Sequence, residues 1–90
     1  MKHAVIFTME GCPHCHDLKE MLTKENIPFV DADINENEEE YRMFVEITKN
    51  EYVPAVMLVE EKTQKAKFYA PDRDFEDIQE AVKLIKEGLS

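Results

Sequence analysis

Positive charge is scarce in this chain: 11 Lys and Arg stand against 20 Asp and Glu, a formal net charge of −9. Phosphate backbones are gripped mainly by Lys and Arg, so the balance argues against nucleic-acid binding. The acids either form a solvated surface or make a rim that selects basic or neutral protein partners. Long apolar runs are missing too. None approaches the roughly 20 residues that span a bilayer, so no membrane association is expected. Residues 1–8 lead too soon to acidic Glu10 for a signal-peptide apolar stretch, which makes the expected location cytoplasmic. Repeats, linkers and low-complexity tracts are absent, and 90 residues leave room for one ordinary core, so 1–90 reads as a single domain. Cysteine is limited to Cys12 and Cys15. In a reducing compartment a structural disulfide is disfavoured, and so short a loop would contribute little through chain entropy. The pair therefore points to reactivity or to metal binding.

What is present sets the order of elements. Residues 4–7 are a continuous apolar run bounded by turn residues, as in an inner strand covered on both faces. Gly11 supplies a turn, and Pro13 suits the first position of a helix, where its missing N–H costs nothing. Cys15, Leu18 and Leu22 recur at helical spacing, Met21 widens that face, and Asn26 is a natural stop. Residues 29–34 alternate apolar with acidic side chains, the mark of a half-exposed strand. Asn35 with Glu38 resembles a capping box, opening a helix with Tyr41, Phe44, Val45 and Ile47 on one face. The acidic run 36–40 suits the positive end of that helix dipole.

In the second half, residues 55–59 form another continuous apolar strand, 60–65 a polar turn and 66–69 the return strand of a hairpin. Asp72 or Asp74 is expected to cap the last helix, whose apolar face is Phe75, Ile78, Val82, Ile85 and Leu89. The order is thus β-α-β-α-β-β-α, an α/β fold. Its first βαβ unit requires parallel strands with a right-handed crossover. The hairpin must be antiparallel, and one mixed four-stranded sheet with helices on both faces closes the arrangement.

Placement gives Cys12-Pro13-His14-Cys15 its meaning, since Cys-x-x-Cys alone is shared by zinc sites, metal carriers and redox proteins. Here the motif follows the first strand, crosses a glycine turn and opens the first helix. The Cys12 sulfur would then meet the unpaired N–H groups and positive dipole end of that helix, which favour a thiolate. Cys15, one turn in on the buried side, would stay protonated. Those environments assign Cys12 as the nucleophile toward a substrate disulfide and Cys15 as the thiol that resolves the mixed disulfide. His14, between them, is either an exposed turn residue or a group that stabilises the thiolate. His16 reads as a solvated first-turn residue, and Glu10 opposes both, since a nearby carboxylate raises a thiol pKa.

Later in the chain Val53-Pro54 stands immediately before a strand, where proline gives no ladder hydrogen bond. With these residues the chain resembles the glutaredoxin family of the thioredoxin superfamily. Residues 5–8 leading to Cys12-Pro13-His14-Cys15 look like the family's strand and active-site turn, and Ile47-Thr48 with Val53-Pro54 looks like its later segment. The resemblance implies a thioredoxin-like fold, a cis Pro54 facing the cysteines, and a Val53 backbone that pairs with bound thiol or peptide. It also implies substrate contacts at Thr8, Met9 and Asp74, with Pro13 and His14 tuning the pair. The implied activity is that of a small oxidoreductase of protein or low-molecular-weight disulfides.

The chain departs from the family at three places. Met9 stands where glutathione-using members carry a lysine, Glu51 and Tyr52 where a basic residue commonly precedes Val-Pro, and Ala70-Pro71 where a glycine pair occurs. Glutathione is anionic and calls for cationic or N–H contacts, which Lys49, Arg73 or the helix terminus near Asp74 would have to supply. Glutathione is accordingly one expected co-substrate and electron donor. Thioredoxin reductase is the other, as in glutaredoxin-like relatives that serve ribonucleotide reductase.

Two rivals share the same residues. Cys12 to His16 match the covalent haem signature Cys-x-x-Cys-His, but the strand-rich pattern is unlike a small helical cytochrome. A soft-metal carrier would draw on Met9, Cys12, His14, Cys15 and His16, though Met9 sits one position further from Cys12 than the carrier pattern places its methionine. A structural zinc site would need two more ligands, with only His3, His14 and His16 to hand. The expectation is no metal and no tightly bound cofactor.

Overall fold

The computed structural model describes residues 2–89. Seven elements follow one another: β1 (Lys2–Thr8), α1 (Pro13–Lys24), β2 (Val30–Asp33), α2 (Glu38–Thr48), β3 (Ala55–Glu60), β4 (Lys65–Tyr69) and α3 (Ile78–Leu89). The strands form one sheet in the order β2-β1-β3-β4, with β1 parallel to β2 and antiparallel to β3, and β3 antiparallel to β4. The mixed four-stranded sheet and the β-α-β-α-β-β-α order are those expected from the sequence.

Alternation along the central strands divides the core in two. Ala4 and Ile6 of β1 and Val56 and Leu58 of β3 point to one face, where Leu18 and Leu22 of α1 and Val82 and Ile85 of α3 cover them. Phe7 and Ala55 point to the other face, where Phe44 of α2 sits. Phe44 meets the rings of Phe7 and Phe68 edge-on, each at 5.5 Å between centroids. Fully burying a side chain of this size contributes about 1.5–3 kcal/mol. The middle of each central strand, residues 4–7 of β1 and 55–59 of β3, is apolar without a break because it is covered on both faces.

Local chemistry ends the elements. Asn26 adopts φ 58, a left-handed conformation that Asn tolerates better than most residues. Its amide bonds the Thr23 carbonyl and the Ile27 amide bonds that of Leu22, which closes α1 in a Schellman turn.

Three details differ from the sequence reading. Asn35 and Glu38 form no capping box; the N-cap of α2 is Asn37, whose side chain caps nothing. Asp33 draws both asparagines off, its carboxylate accepting from the Asn35 amide (2.8 Å) and its carbonyl from Asn37 Nδ2 (2.9 Å). Ile47 is 52% exposed, and Thr48 takes the buried position beside Phe44. Neither Asp72 nor Asp74 caps α3. Asp77 does so, accepting from the Glu80 amide at 2.9 Å, while Asp72 and Asp74 build the turn before it.

Candidate active site

The end of β1 delivers the chain to the first turn of α1 through a tight reversal. The Cys12 amide bonds the Met9 carbonyl at 3.3 Å, and Gly11 sits at φ 79. That sign of φ at the third residue of a turn favours glycine. Pro13 then occupies the first turn of α1, and Cys12 is its N-cap. The cap is a sulfur: the Cys15 amide donates to Cys12 Sγ at 3.2 Å. Cys12 and Cys15 are joined in a disulfide, with Cα atoms 5.3 Å apart. Cys15 is buried at 2% exposure, whereas Cys12 is only half-buried and is the sulfur within reach of solvent. No acidic residue lies in the first turn of the helix.

The loop before β3 supplies the facing wall. The Val53–Pro54 bond is cis, Pro54 is buried, and the Val53 carbonyl oxygen lies 4.0 Å from Cys12 Sγ. Sequence reasoning passed over the residue that fixes this loop. Asn50 donates from Nδ2 to the Pro71 carbonyl at 2.7 Å and accepts the Tyr52 amide on Oδ1 at 2.9 Å. One side chain thus ties the loop after α2 to the loop before α3. An Asn two residues before an exposed amide was the available sign, since Asx turns have that spacing. Tyr41 adds a second tie, its hydroxyl donating to the Glu51 carbonyl at 2.5 Å. Burial, and then the charge of Glu51, raises the pKa of that hydroxyl and keeps it a donor.

A groove of about 1070 Å³ runs from His14, Val53 and Pro54 along the outer face of α1, with Pro71, Asp72 and residues 75–79 on its far side. Val53, Pro54 and His14 are brought together there. Three other expected contacts are not. Thr8 is buried at 4% exposure and its hydroxyl donates to Asp31 Oδ1 at 2.6 Å, so it holds β1 to β2 instead of facing a ligand. Met9 is 44% exposed outside the groove. Asp74 accepts the Ala70 amide at 2.8 Å and pairs with Arg73 at 3.4 Å, closing the turn before α3. Lys49 and Arg73 likewise lie outside the groove lining.

Asp31 was a second omission. Burial alone would raise its pKa, but hydrogen bonds from Thr8 and Lys19, with the Lys19 charge, outweigh that and hold it below the ordinary value. His16 Nε2 lies 3.4 Å from Glu20, and His14 is exposed. Among the described residues no group of three or more His, Cys, Asp or Glu side chains comes together to hold a metal ion. No helix among them is long and apolar enough to cross a membrane.

Comparison with known proteins agrees with this geometry. The family model described as glutaredoxin matches residues 4–62. No curated protein matches the chain. Among solved structures, the thioredoxin-like protein BC3987 is 16% identical over 91% of this chain and 97% of its own, with a TM-score of 0.60. A single-residue variant of that protein is 14% identical over 97% and 99% of the two chains, again at 0.60. Malassezia sympodialis thioredoxin is 10% identical over 99% of this chain and 78% of its own, at 0.65. At such identities the structural likeness speaks for the thioredoxin-like fold. The family match covers well over half the chain and includes both cysteines, and on it the chain belongs to the glutaredoxin family, as a thiol–disulfide oxidoreductase.

Proposed function

We propose that the chain reduces protein disulfides by a dithiol mechanism, with Cys12 attacking and Cys15 resolving. The observation that carries this is the unequal setting of the two sulfurs: Cys12 accepts the Cys15 amide at 3.2 Å on the open side, and Cys15 is 2% exposed. In the reduced protein the same N–H and the helix start favour a Cys12 thiolate. That thiolate attacks one substrate sulfur, forming the mixed disulfide and expelling the other sulfur as a thiolate that takes up a proton. Cys15 gives up its proton and attacks Cys12. The mixed bond breaks, the second substrate thiol leaves, and two electrons have passed from the dithiol to the substrate.

A Cys15→Ser protein should stop at the mixed disulfide, so mass spectrometry of its mixture with an oxidised peptide should find one peptide on Cys12. Free peptide thiol with no adduct would exclude the sequence of steps.

The donor that regenerates the dithiol is glutathione or thioredoxin reductase with NADPH. Lys49 and Arg73 lie outside the groove, and of its own lysines Lys19 is paired with Asp31 and Lys24 stands at the far end of α1, which favours the reductase, because anionic glutathione needs cations near the dithiol. On that reading the chain resembles the redoxins that serve ribonucleotide reductase in a reducing cytoplasm. Reduction of the oxidised protein by each donor separately assigns it.

A further inference from the structure

The groove beside the dithiol has an apolar floor and acidic walls. Val53, Pro54, Phe75 and Ile78 contribute its apolar part. Asp17 and Glu20 stand along it on α1, with Asp72, Glu76 and Asp77 opposite. Its two lysines offset this poorly. Lys19 has its ammonium 2.9 Å from Asp31, and Lys24 stands in the last turn of α1, at the end remote from Cys12. Glu20 faces His16, and Asp77 is engaged as the cap of α3. Among the described residues no cation pairs with Asp17, Asp72 or Glu76. A concave surface lined by one sign of charge focuses its field and raises the local concentration of the opposite sign.

We infer that the groove seats a cationic polypeptide segment, so that the preferred substrate is a protein disulfide flanked by Lys or Arg. This rests on the dithiol reading above and adds the recognition chemistry to it. The floor gives an extended segment apolar contact beside the Cys12 sulfur, and the two acidic walls take basic side chains on either side. Anionic thiols approaching the same sulfur meet carboxylates first.

The test compares three synthetic peptide disulfides of one sequence, with Lys, Gln or Glu flanking the cysteine, as substrates of the reduced wild-type chain. At about 10 mM salt, the second-order rate constant for single-turnover reduction of the Lys peptide should exceed that for the Glu peptide by about tenfold or more, with the Gln peptide between. At about 0.5 M salt the ratio should fall toward one, since the Debye length there is only a few ångströms. Glu20→Gln with Glu76→Gln should narrow the low-salt ratio by about threefold, with circular dichroism reporting the fold. Equal rates for the three peptides, a preference for the Glu peptide, or a ratio indifferent to salt would overturn the cationic substrate and leave the dithiol chemistry intact. If none of the peptides is reduced and no mixed disulfide forms on Cys12, the dithiol reading falls, and this one with it.

Discussion

At the start of α1 the side-chain acceptor that closes the first turn is a sulfur; at the start of α3 it is a carboxylate. The geometry is otherwise parallel. Cys12 Sγ accepts the amide three residues on, Cys15, at 3.2 Å, and Asp77 accepts the amide three residues on, Glu80, at 2.9 Å. Glu80 in turn accepts the Glu76 amide at 3.2 Å, so two N–H groups at this end, one in the first turn and one just before it, go to the chain's own acids. The first turn of α1 holds no acid. The consequence is chemical. A carboxylate cap is charged at neutral pH whatever else happens, whereas a sulfur cap gains charge only on becoming a thiolate. The helix start therefore stabilises α3 outright, but at α1 it is coupled to the redox state of Cys12.

Exchanging the sulfur for an oxygen breaks the comparison most sharply. Serine is among the preferred N-caps, so reduced Cys12→Ser should match the reduced wild type in stability to within about 0.5 kcal/mol by urea denaturation. Turnover of a peptide disulfide should nevertheless fall to the uncatalysed rate. A loss of stability above about 2 kcal/mol would mean that the sulfur does more than cap.

Giving α1 the acid that α3 has is the next largest change. His14→Glu places a carboxylate in the first turn beside Cys12. The helix should gain a few tenths of a kcal/mol from its dipole. The thiol should move the other way, with the midpoint of iodoacetamide alkylation against pH rising by about half to one pH unit. The rate at neutral pH falls by less than the thiolate fraction does, because a more basic thiolate is the better nucleophile. A midpoint that stays put would show that the N–H groups alone set the charge on Cys12. Removing the carboxylate cap is the converse. Asp77→Ala should cost about 1 kcal/mol in denaturant titration and leave the alkylation midpoint unchanged.

The contrast also marks what was legible in the sequence. Strand–turn–helix around Cys12 could be read because each part has its own local cause: an apolar run, Gly11, Pro13, and Leu18 and Leu22 at helical spacing. The element order and the mixed sheet followed from such signals. The start of α3 could not be read the same way, because Asp72, Asp74 and Asp77 are chemically equivalent candidates and the choice is tertiary. Asp74 is taken by the Ala70 amide, and Asp72 turns with φ 65, its amide on the Phe75 carbonyl. The Asn35 cap failed for a similar reason, since Asp33 competes for it. At the site, Cys12, Cys15, Val53 and Pro54 come together as their motifs suggest. Thr8 and Asp74, polar groups near the cysteines in sequence or by family position, each make a bond inside the fold that no local pattern announces. Asn50 was missed because its partner, Pro71, is 21 residues away.

The smallest expected effect concerns how α1 is held along its length, given that its start carries no acid. Lys19 of α1 lies 2.9 Å from Asp31 of β2, which also accepts the Thr8 hydroxyl. Burial would raise the Asp31 pKa, and the Thr8 and Lys19 hydrogen bonds, with the Lys19 charge, more than reverse this, so the folded value lies below 3.8. A carboxylate whose folded pKa is depressed stabilises the protein above its unfolded pKa, and that contribution is lost as pH falls through the folded value. The window therefore opens near pH 4 and extends downward. The Asp31 and Lys19 side chains are 45% and 33% exposed, so solvent screens the pair and a few tenths of a kcal/mol is the expected size at neutral pH. Asp31→Asn should be less stable than wild type by that amount at pH 7, with the gap closing as pH falls below the ordinary carboxylate range and shrinking in high salt. A gap that persists unchanged into acid would assign the tie to hydrogen bonding from Thr8, and the anchoring of α1 to β2 would owe nothing to charge.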